Sequence, residues 1–495
     1  MKLLYIDLFC GAGGTSTGVE NARYEGRQCA KVIGCVNHDA NAIASHAANH
    51  PDALHFTEDI RMLELSPLTA HIAEMRRQYP DAFVVLWASL ECTNFSKAKG
   101  GQPRDSDSRT LAEHLFRYIE AINPDYIQIE NVEEFMSWGD LDENGKPISK
   151  DAGRLYLQWV SNVCGYGYRF AHRILNSADY GAYTTRRRFF GIFAKGSLPI
   201  VFPEPTHSKD GATGLFGQMQ RWKPVREVLD FTDEGKSIFG RKKPLVDATL
   251  ERIYAGLIKF VAGGKEAFLV KWNSMSSTGK YHAPSIDEPC PTVATQNRLG
   301  IAQVNFLSKH YGGSPAGKCV SVEEPAGTIT TWDHHSFITA YYGNGHNHSI
   351  DAPAPTLTTR DRLAFVDMQY GNGAPCDIES PAPTVTTNPK LQLVTCRMEQ
   401  QESTTTITSD DSPAMAKIKR FMALYGIVDI KMRMLRIPEL KRIMGFPPDY
   451  VLVGTQADQK KFIGNAVEVN MARVLCEALC ARLIEGDWRP IQIAA

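Results

Sequence analysis

The segment LLYIDLFCGAGG, residues Leu3–Gly14, joins an apolar run to a glycine-rich turn. Its apolar part, Leu3–Phe9, predicts a buried strand, and Gly11-x-Gly13-Gly14 predicts a turn from which a helix begins. Glycines in such a turn let backbone N–H groups approach a cofactor closely. Taken alone, this pattern fits S-adenosylmethionine, a dinucleotide or a tight bend without a ligand.

The first 200 residues alternate short apolar runs with helical patterns, which predicts an α/β fold with a parallel, Rossmann-like sheet. The expected strands are Leu3–Phe9, Lys31–Val36, Phe83–Ala88, Tyr126–Glu130 and Phe189–Phe193. The expected helices are Asn41–Ala48, Ser66–Tyr79 and Leu111–Ala121.

Composition narrows the class of protein. The chain has 495 residues, 43% of them hydrophobic, and a formal net charge of −1. This size allows two or three domains, and the charge neither requires nor excludes a nucleic-acid partner. We expect a cytoplasmic protein without a membrane segment, because no signal-peptide pattern or long apolar stretch occurs. The eleven cysteines form no Cys-x-x-Cys pair, so neither a disulfide framework nor a zinc site is expected.

From about Pro203 the composition shifts to Pro, Gly and Thr, and a sequence unit recurs four times. The units end in Pro-Thr-Val-Ala-Thr or a close variant, with Thr292, Thr328, Thr356 and Thr384 at equivalent positions. Their β-branched residues favour strands, which predicts a β-rich second domain. The repeat is either purely structural or a surface that reads the substrate.

Helix-forming composition returns from Ile418, and Met471–Leu483 has apolar spacing suited to packing against the first domain. We therefore expect a first domain of residues 1–200, a β-rich recognition domain of residues 201–430, and a segment 431–495 that completes the first domain.

Polar residues follow other predicted strands, at the sheet edge where α/β folds bind ligands. Asn37-His38-Asp39 and Asp59-Ile60 stand where such folds hold the ribose and adenine of a nucleoside. Glu130 ends a central strand, where a carboxylate is costly unless it is used or paired. Cys92 follows another strand and is either a buried packing residue or a nucleophile, and Glu130 favours the second interpretation.

Taken in order, these motifs resemble those of the C5-cytosine DNA methyltransferase family, over most of the chain apart from the repeats. No single motif decides this, but the ordered set does. The resemblance implies a methyltransferase that uses S-adenosylmethionine and acts on duplex DNA. The matching segments are Asp7–Gly14, Cys92-x-x-Phe95-Ser96, Glu130-Asn131-Val132, Tyr180-Gly181 with Arg186-x-Arg188, Arg436–Tyr450 and Gly464-Asn465-x-Val467.

The resemblance also implies roles for single residues. The thiolate of Cys92 would add to C6 of a flipped-out cytosine while Glu130 bonds N3 and the exocyclic amine. C5 would then take the methyl group, and Arg186 and Arg188 would favour the thiolate and anionic intermediates. The residues implied in cofactor binding are Phe9, Gly11, Gly13, Gly14, Asn37, His38, Asp59, Ile60, Leu111, Asn465 and Val467.

Four positions depart from the family pattern. Glu91 replaces the Pro before the nucleophile, and its carboxylate should raise the pKa of the Cys92 thiol. Asn37 replaces a Glu that accepts from the ribose hydroxyls, Thr184 replaces a Gln, and Glu468 replaces a Pro. With these changes the chain could be an enzyme with slow turnover, or its substrate could be a modified pyrimidine.

Two further function classes stay open: a DNA-binding pseudoenzyme disabled by Glu91, and an RNA methyltransferase on the same scaffold. A repeat-bearing insertion before Gly445-Phe446-Pro447 better suits recognition of duplex DNA. The histidines of His334-His335 and His346-x-His348 lack the companions of a metal site. We therefore expect a monomeric DNA (cytosine-5-)-methyltransferase without a metal, for which a restriction endonuclease is a candidate partner. The candidate base-reading residues are Asn297, Arg298, Asn344, Arg360, Arg362 and Asn388.

Overall fold

The structure is a computed structural model that describes residues 1–90, 112–139, 153–258 without 212, 215–216, 231 and 234, and 406–489 without 426 and 428. Between 267 and 397 it describes the backbone of separate strands. The chain forms two compact units. Unit 1 comprises residues 1–182, 186–221 and 444–495, and unit 2 comprises residues 183–185 and 222–443.

The elements of the described residues are as follows in chain order. The strands up to residue 221 are β1 Leu3–Leu8, β2 Arg23–Tyr24, β3 Arg27–Gln28, β4 Ala30–Val36, β5 Leu54–Phe56, β6 Phe83–Ser89, β7 Tyr126–Asn131, β8 Tyr168–Asn176, β9 Thr184–Thr185, β10 Arg187–Lys195, β11 His207–Ser208, β12 Thr213–Gly214, β13 Gly217–Gln218 and β14 Gln220–Arg221. The later strands are β15 Lys236–Ser237, β16 Ala267–Lys271, β17 Cys290–Pro291, β18 Leu299–Gln303, β19 Leu307–Lys309, β20 Cys319–Val320, β21 His335–Phe337, β22 Leu363–Met368, β23 Leu391–Arg397 and β24 Asp429–Met434. The helices are α1 Gly14–Asn21, α2 Ala40–Asn49, α3 Ser66–Gln78, α4 Leu115–Ile122, α5 Arg154–Cys164, α6 Asp247–Gly256, α7 Pro413–Tyr425, α8 Ile437–Ile443, α9 Gln456–Asn465 and α10 Val469–Glu485.

Unit 1 is built on a sheet whose described strands run in the order β5-β4-β1-β6-β7-β10-β8. The first five strands in this order are parallel. Residues of β1 alternate between two apolar cores: Leu4 and Ile6 pack with α3 and α4, whereas Leu3 and Tyr5 pack with α1 and α10. Parallel strands covered on both faces appear in the sequence as continuous apolar runs, which is why they can be predicted.

All five predicted strands of this sheet occur, with bounds that shift by one or two residues, and the α/β class is confirmed. The parallel direction expected throughout is wrong, because β10 pairs antiparallel with both β7 and β8. The sequence does not predict β8, an edge strand with exposed Arg169, His172 and Arg173. An edge strand with polar side chains shows no continuous apolar run.

The predicted helices correspond to α2, α3 and α4. The bounds of α2 and α3 agree with the prediction to within one residue. Helix α4 begins at Leu115, and the predicted start at Leu111 lies outside the described residues. Within the part of the chain that the structure describes, the helices are too short or too polar to cross a membrane.

Helix α10 returns from the far end of the chain to the sheet of unit 1. Met471, Leu475, Leu479 and Leu483 follow one another at helical spacing and are buried in the core that contains Leu3. The predicted packing of Met471–Leu483 against the first domain is therefore confirmed.

Unit 2 contains a sheet whose described strands run in the order β15-β24-β23-β22-β18-β16. Strands β19, β20 and β21 form a second, smaller sheet, and β17 pairs in parallel with β9. These strands agree with the predicted β-rich character of this part of the chain. The repeat positions Thr292, Thr328, Thr356 and Thr384 lie outside the described residues.

Candidate active site

Glu130 lies near the end of β7 beside two arginines. Nε of Arg188 lies 3.3 Å from Glu130 Oε1, and Nη2 of Arg186 lies 4.0 Å from the same oxygen. Only 6% of Glu130 and 4% of Arg186 are exposed to solvent. Cations at these distances offset the hydration that a buried carboxylate loses. The structure thus brings together three of the four residues expected to be catalytic.

The register of the sheet places the chain that leads to Cys92 beside this carboxylate. Ser89, the last residue of β6, lies opposite Glu130 in the parallel pair with β7. The side-chain amide of Asn131 donates to the carbonyl oxygen of Leu90 at 3.4 Å. Cys92 itself lies outside the described residues. The sequence does not predict this hydrogen bond between Asn131 and the chain before Cys92, although Asn131 belongs to the Glu-Asn-Val motif.

Arg186 also contacts the C-terminal part of unit 1. Its Nη1 donates to the carbonyl oxygen of Gly464 at 3.2 Å. Asn465 follows Gly464 as the last residue of α9, and its side chain is exposed. Arg186 therefore contacts both Glu130 and the Gly-Asn-x-Val motif, so these two motifs lie close together.

The three glycines after β1 have different surroundings. Gly11 has a φ of 52°, and a β-carbon added there would meet no atom within 4 Å. A β-carbon on Gly13 would clash with the hydroxyl of Tyr450, and one on Gly14 would lie 2.6 Å from the carbonyl oxygen of Val467. Gly11 therefore borders open space that a cofactor can approach, whereas packing within the protein requires Gly13 and Gly14.

Phe9 leaves β1 in the left-handed conformation, with a φ of 61° that aromatic residues rarely adopt. Its half-buried ring packs against the core that contains Leu4. Strained backbone of this kind is often retained at ligand sites. Val467 is buried in the opposite core, and Leu111, the third expected apolar contact, lies outside the described residues.

Asn37 and His38 follow β4 at the same edge of the sheet. Oδ1 of Asn37 accepts from the backbone N–H of Asp39 at 2.9 Å, and the Asp39 carboxylate caps α2. This hydrogen bond uses one of the two lone pairs of Asn37 Oδ1. His38 is exposed, and Asn37 is half-buried. A ligand that lies along this edge can reach both side chains.

Asp59 is held by the guanidinium of Arg61. Nε and Nη2 of Arg61 donate to its carboxylate at 3.0 and 2.6 Å. These hydrogen bonds lower the pKa of Asp59 to about 2, which keeps it an anionic acceptor. The side chain of Ile60 is buried in the core, while its carbonyl oxygen accepts from Arg117 and Tyr118.

Glu468, one of the departures from the family pattern, caps helix α10. Its carboxylate accepts from the backbone N–H groups of Asn470 and Met471 at 3.1 and 2.7 Å. Burial raises the pKa of this carboxyl to about 7. A capping side chain thus starts a helix where the family pattern has Pro. Thr184, another departure, is fully buried in β9 of unit 2.

A sequence model of the family described as C-5 cytosine-specific DNA methylase matches residues 3–215 and 323–481. The chain belongs to this family. The methyl donor of C-5 cytosine-specific DNA methylases is S-adenosylmethionine. The match includes the segments that contain Glu130, Arg186 and Gly464, and it omits residues 216–322.

Three bacterial relatives illustrate the similarity of individual sequences. The chain is 28% identical to Type II methyltransferase M.AgeI of Thalassovita gelatinovora, over 42% of this chain and 44% of the relative. It is 26% identical to Type II methyltransferase M1.HphI of Haemophilus parahaemolyticus, over 43% and 52% of the two chains. It is 24% identical to Type II methylase M.HgiDII of Herpetosiphon aurantiacus, over 65% and 82%. The chain thus spans about half the length of the first two relatives.

Proposed function

We propose that this chain is a DNA (cytosine-5-)-methyltransferase, which transfers a methyl group from S-adenosylmethionine to C5 of a flipped-out cytosine in duplex DNA. The observation that carries the proposal is the buried Glu130 carboxylate, which Arg186 and Arg188 flank at the sheet edge where the chain leads to Cys92. Membership of the C-5 cytosine-specific family supports the same reaction.

Cys92 is the nucleophile of this reaction. Its thiolate forms a bond to C6, and the electron pair of the C5–C6 double bond moves toward C5 and the ring. Glu130 hydrogen-bonds N3 and the exocyclic amine of the base, which orients the ring for the attack by Cys92. After C5 has been methylated, loss of its proton re-forms the double bond and expels the Cys92 thiolate.

The two arginines position the carboxyl group and stabilise negative charge. Because Arg186 and Arg188 both approach Oε1 of Glu130, the carboxylate has a fixed orientation before the base arrives. Fixed charges in a site that excludes water need no reorganisation as charge develops. The cation of Arg186 also favours the thiolate form of a nearby cysteine.

S-adenosylmethionine supplies an electrophilic methyl group when it is bound. The open side of Gly11 supports its approach to the turn after β1. Asn37 would accept from the ribose hydroxyls, His38 would contact the adenine, and Asp59, which Arg61 holds, would accept from the adenine amino group. The other contacts in this proposal are Phe9, Gly13, Gly14, Ile60, Leu111, Asn465 and Val467.

The remaining parts of the proposal concern the partners. Residues 201–430 read the sequence of duplex DNA, and residues 431–495 complete the catalytic domain. Similarity to type II methyltransferases supports a restriction-modification system with a restriction endonuclease as the second component. The protein acts as a monomer in the cytoplasm, where its DNA substrate and methyl donor are found.

The decisive experiment is transfer of a labelled methyl group from S-adenosylmethionine to duplex DNA of mixed sequence. We expect label on C5 of cytosine, loss of transfer in Cys92→Ser and Glu130→Gln, and full transfer in the control Cys164→Ser. Native protein that binds DNA without transferring label, or Cys92→Ser that still transfers it, contradicts the proposal.

A further inference from the structure

Three potential metal ligands from separate segments converge under the glycine turn of unit 1. The ligand atoms of Cys10, Cys35 and His46 all lie within 4.8 Å of one another, and all three residues are buried. Cys10 belongs to the turn, Cys35 to β4 and His46 to α2. None of them takes part in the proposed methyl transfer. Such a group of soft ligands, shielded from solvent, is typical of a structural metal site.

A fourth ligand lies next to this group. Nδ1 of His46 is 3.6 Å from Cys35 Sγ and 3.0 Å from Nε2 of His55. Around a tetrahedral zinc ion, two nitrogen ligands are separated by about 3.4 Å, and a sulfur and a nitrogen by about 3.6 Å. The separation of Cys35 Sγ from His46 Nδ1 therefore equals that expected around zinc, and the two imidazole nitrogens lie somewhat closer together than in a zinc site.

Hydrogen bonds behind His46 fix which of its nitrogens faces the cluster. The hydroxyl of Ser16 donates to Asp7 Oδ2 at 2.8 Å, and its oxygen lies 2.9 Å from Nε2 of His46. When Ser16 donates to Asp7, its oxygen accepts from Nε2–H of His46, and this tautomer keeps the lone pair of Nδ1 for the cluster. Metal-binding histidines are oriented by second hydrogen bonds of this kind.

Rigid elements hold the four side chains in place. Cys35 of β4 and His55 of β5 lie opposite each other in the register of the sheet. The backbone N–H of Cys10 donates to the carbonyl oxygen of Val36 at 3.2 Å, which fastens the turn to β4. His46 lies on α2, whose first turn is capped by Asp39. The ligands are thus preorganised by the fold.

We infer that Cys10, Cys35, His46 and His55 bind a zinc ion beneath the glycine turn. Two thiolates and two imidazoles favour zinc, whereas magnesium and calcium require oxygen ligands. The lack of a Cys-x-x-Cys pair predicts no zinc site, but that pattern detects only ligands that are neighbours in the sequence. Here the ligands come from four separate segments, so no Cys-x-x-Cys spacing is needed.

The ion would also tie the turn that contains Gly11 to α2 and β5, because Cys10, His46 and His55 belong to these elements.

The test is the metal content of the full-length protein, purified without chelators from cells supplied with zinc. We expect one zinc ion per chain by mass spectrometry, and replacement by Co²⁺ with the visible bands of tetrahedral coordination and the near-ultraviolet band of a thiolate ligand. Cys35→Ser should lose the metal and the thiolate band. The control Cys164→Ser, which changes a half-buried cysteine on α5, should keep both.

If circular dichroism shows that Cys35→Ser does not fold, a second variant still tests the site. His55 is only half-buried, so His55→Gln should fold, lose zinc more readily to a competing chelator, and change the visible Co²⁺ bands. Wild-type protein without tightly bound zinc, or a Cys10–Cys35 disulfide found after alkylation, overturns the proposal. Neither measurement requires methyl transfer, so the proposed function is tested separately.

Discussion

The carbonyl oxygen of Val467 lies directly against Gly14, so that a β-carbon on this glycine would be 2.6 Å away. The first turn of unit 1 and the Gly-Asn-x-Val motif therefore touch through backbone atoms, although 453 positions separate 14 from 467. Neither partner can move easily, since Gly14 begins α1 and Val467 is buried in the core of unit 1.

Gly14→Ala should destabilise the protein by about 1–3 kcal/mol, because the new methyl group has to displace backbone. Chemical denaturation measures this loss. The control is Gly34→Ala, where the added carbon would meet the flexible end of Leu68 at 3.0 Å and a smaller loss is expected. Equal losses in the two variants would show that the contact with Val467 is unimportant.

Arg186→Gln should reduce kcat about 100-fold, because it removes a preorganised charge beside Glu130 and the hydrogen bond to Gly464. Steady-state methyl transfer measures the effect. The matched control is Arg187→Gln, which breaks an exposed ion pair with Glu133 and should cost less than about 1 kcal/mol of stability. A similar fall of kcat in both variants would rule out a specific role for Arg186.

Replacing Glu91 should accelerate methyl transfer at neutral pH. Its carboxylate, next to Cys92 in the sequence, opposes ionisation of the thiol and should shift the rate profile to higher pH. Glu91→Gln tests the charge, and Glu91→Pro adds the backbone restriction of the family pattern. If the pH profile is the same in wild type and Glu91→Gln, the carboxylate does not control the thiol.

The stability of unit 1 should fall as pH rises because of Glu468. Burial raises the pKa of this carboxyl from 4.5 to about 7 in the folded protein, so its protonated form favours folding. Its contribution is complete below pH 4.5 and is lost as pH rises through 7. Glu468→Gln should therefore gain thermal stability relative to wild type at pH 8 but not at pH 4.

Asp458, in the capping box of α9, provides the control for this measurement. Its hydrogen bond from Thr455 lowers its pKa below 3.8, so its contribution is lost only as pH falls through that lower value. Asp458→Asn should consequently show no change in relative stability between pH 5 and pH 8. If Glu468→Gln behaves in the same way, the raised pKa of Glu468 is wrong.

The fold of unit 1 could be predicted where local pattern determines it. Strands such as β1 and β6 are covered on both faces and therefore appear as apolar runs. Strand direction is not encoded in such a run, which explains the wrong direction for β10. The polar edge strand β8 lacks the run altogether.

Only part of the candidate site could be predicted from the sequence. The motif order predicts Glu130, Arg186 and Arg188, and the structure brings them together. The packing role of Gly13 depends on Tyr450, which is far away in the sequence. A contact between residues so far apart in the sequence leaves no local pattern from which it could be predicted.

The position of α10 has a consequence for synthesis on the ribosome. Leu3, Tyr5 and Trp87 share one core with Met471 and Leu475, so this face of the sheet stays partly uncovered until the last helix has been made. At about 5–20 residues per second, the ribosome needs on the order of tens of seconds to travel from β10 to α10. The nascent chain therefore presents an apolar surface throughout that interval, and a chaperone that binds such surfaces should increase the yield of folded protein.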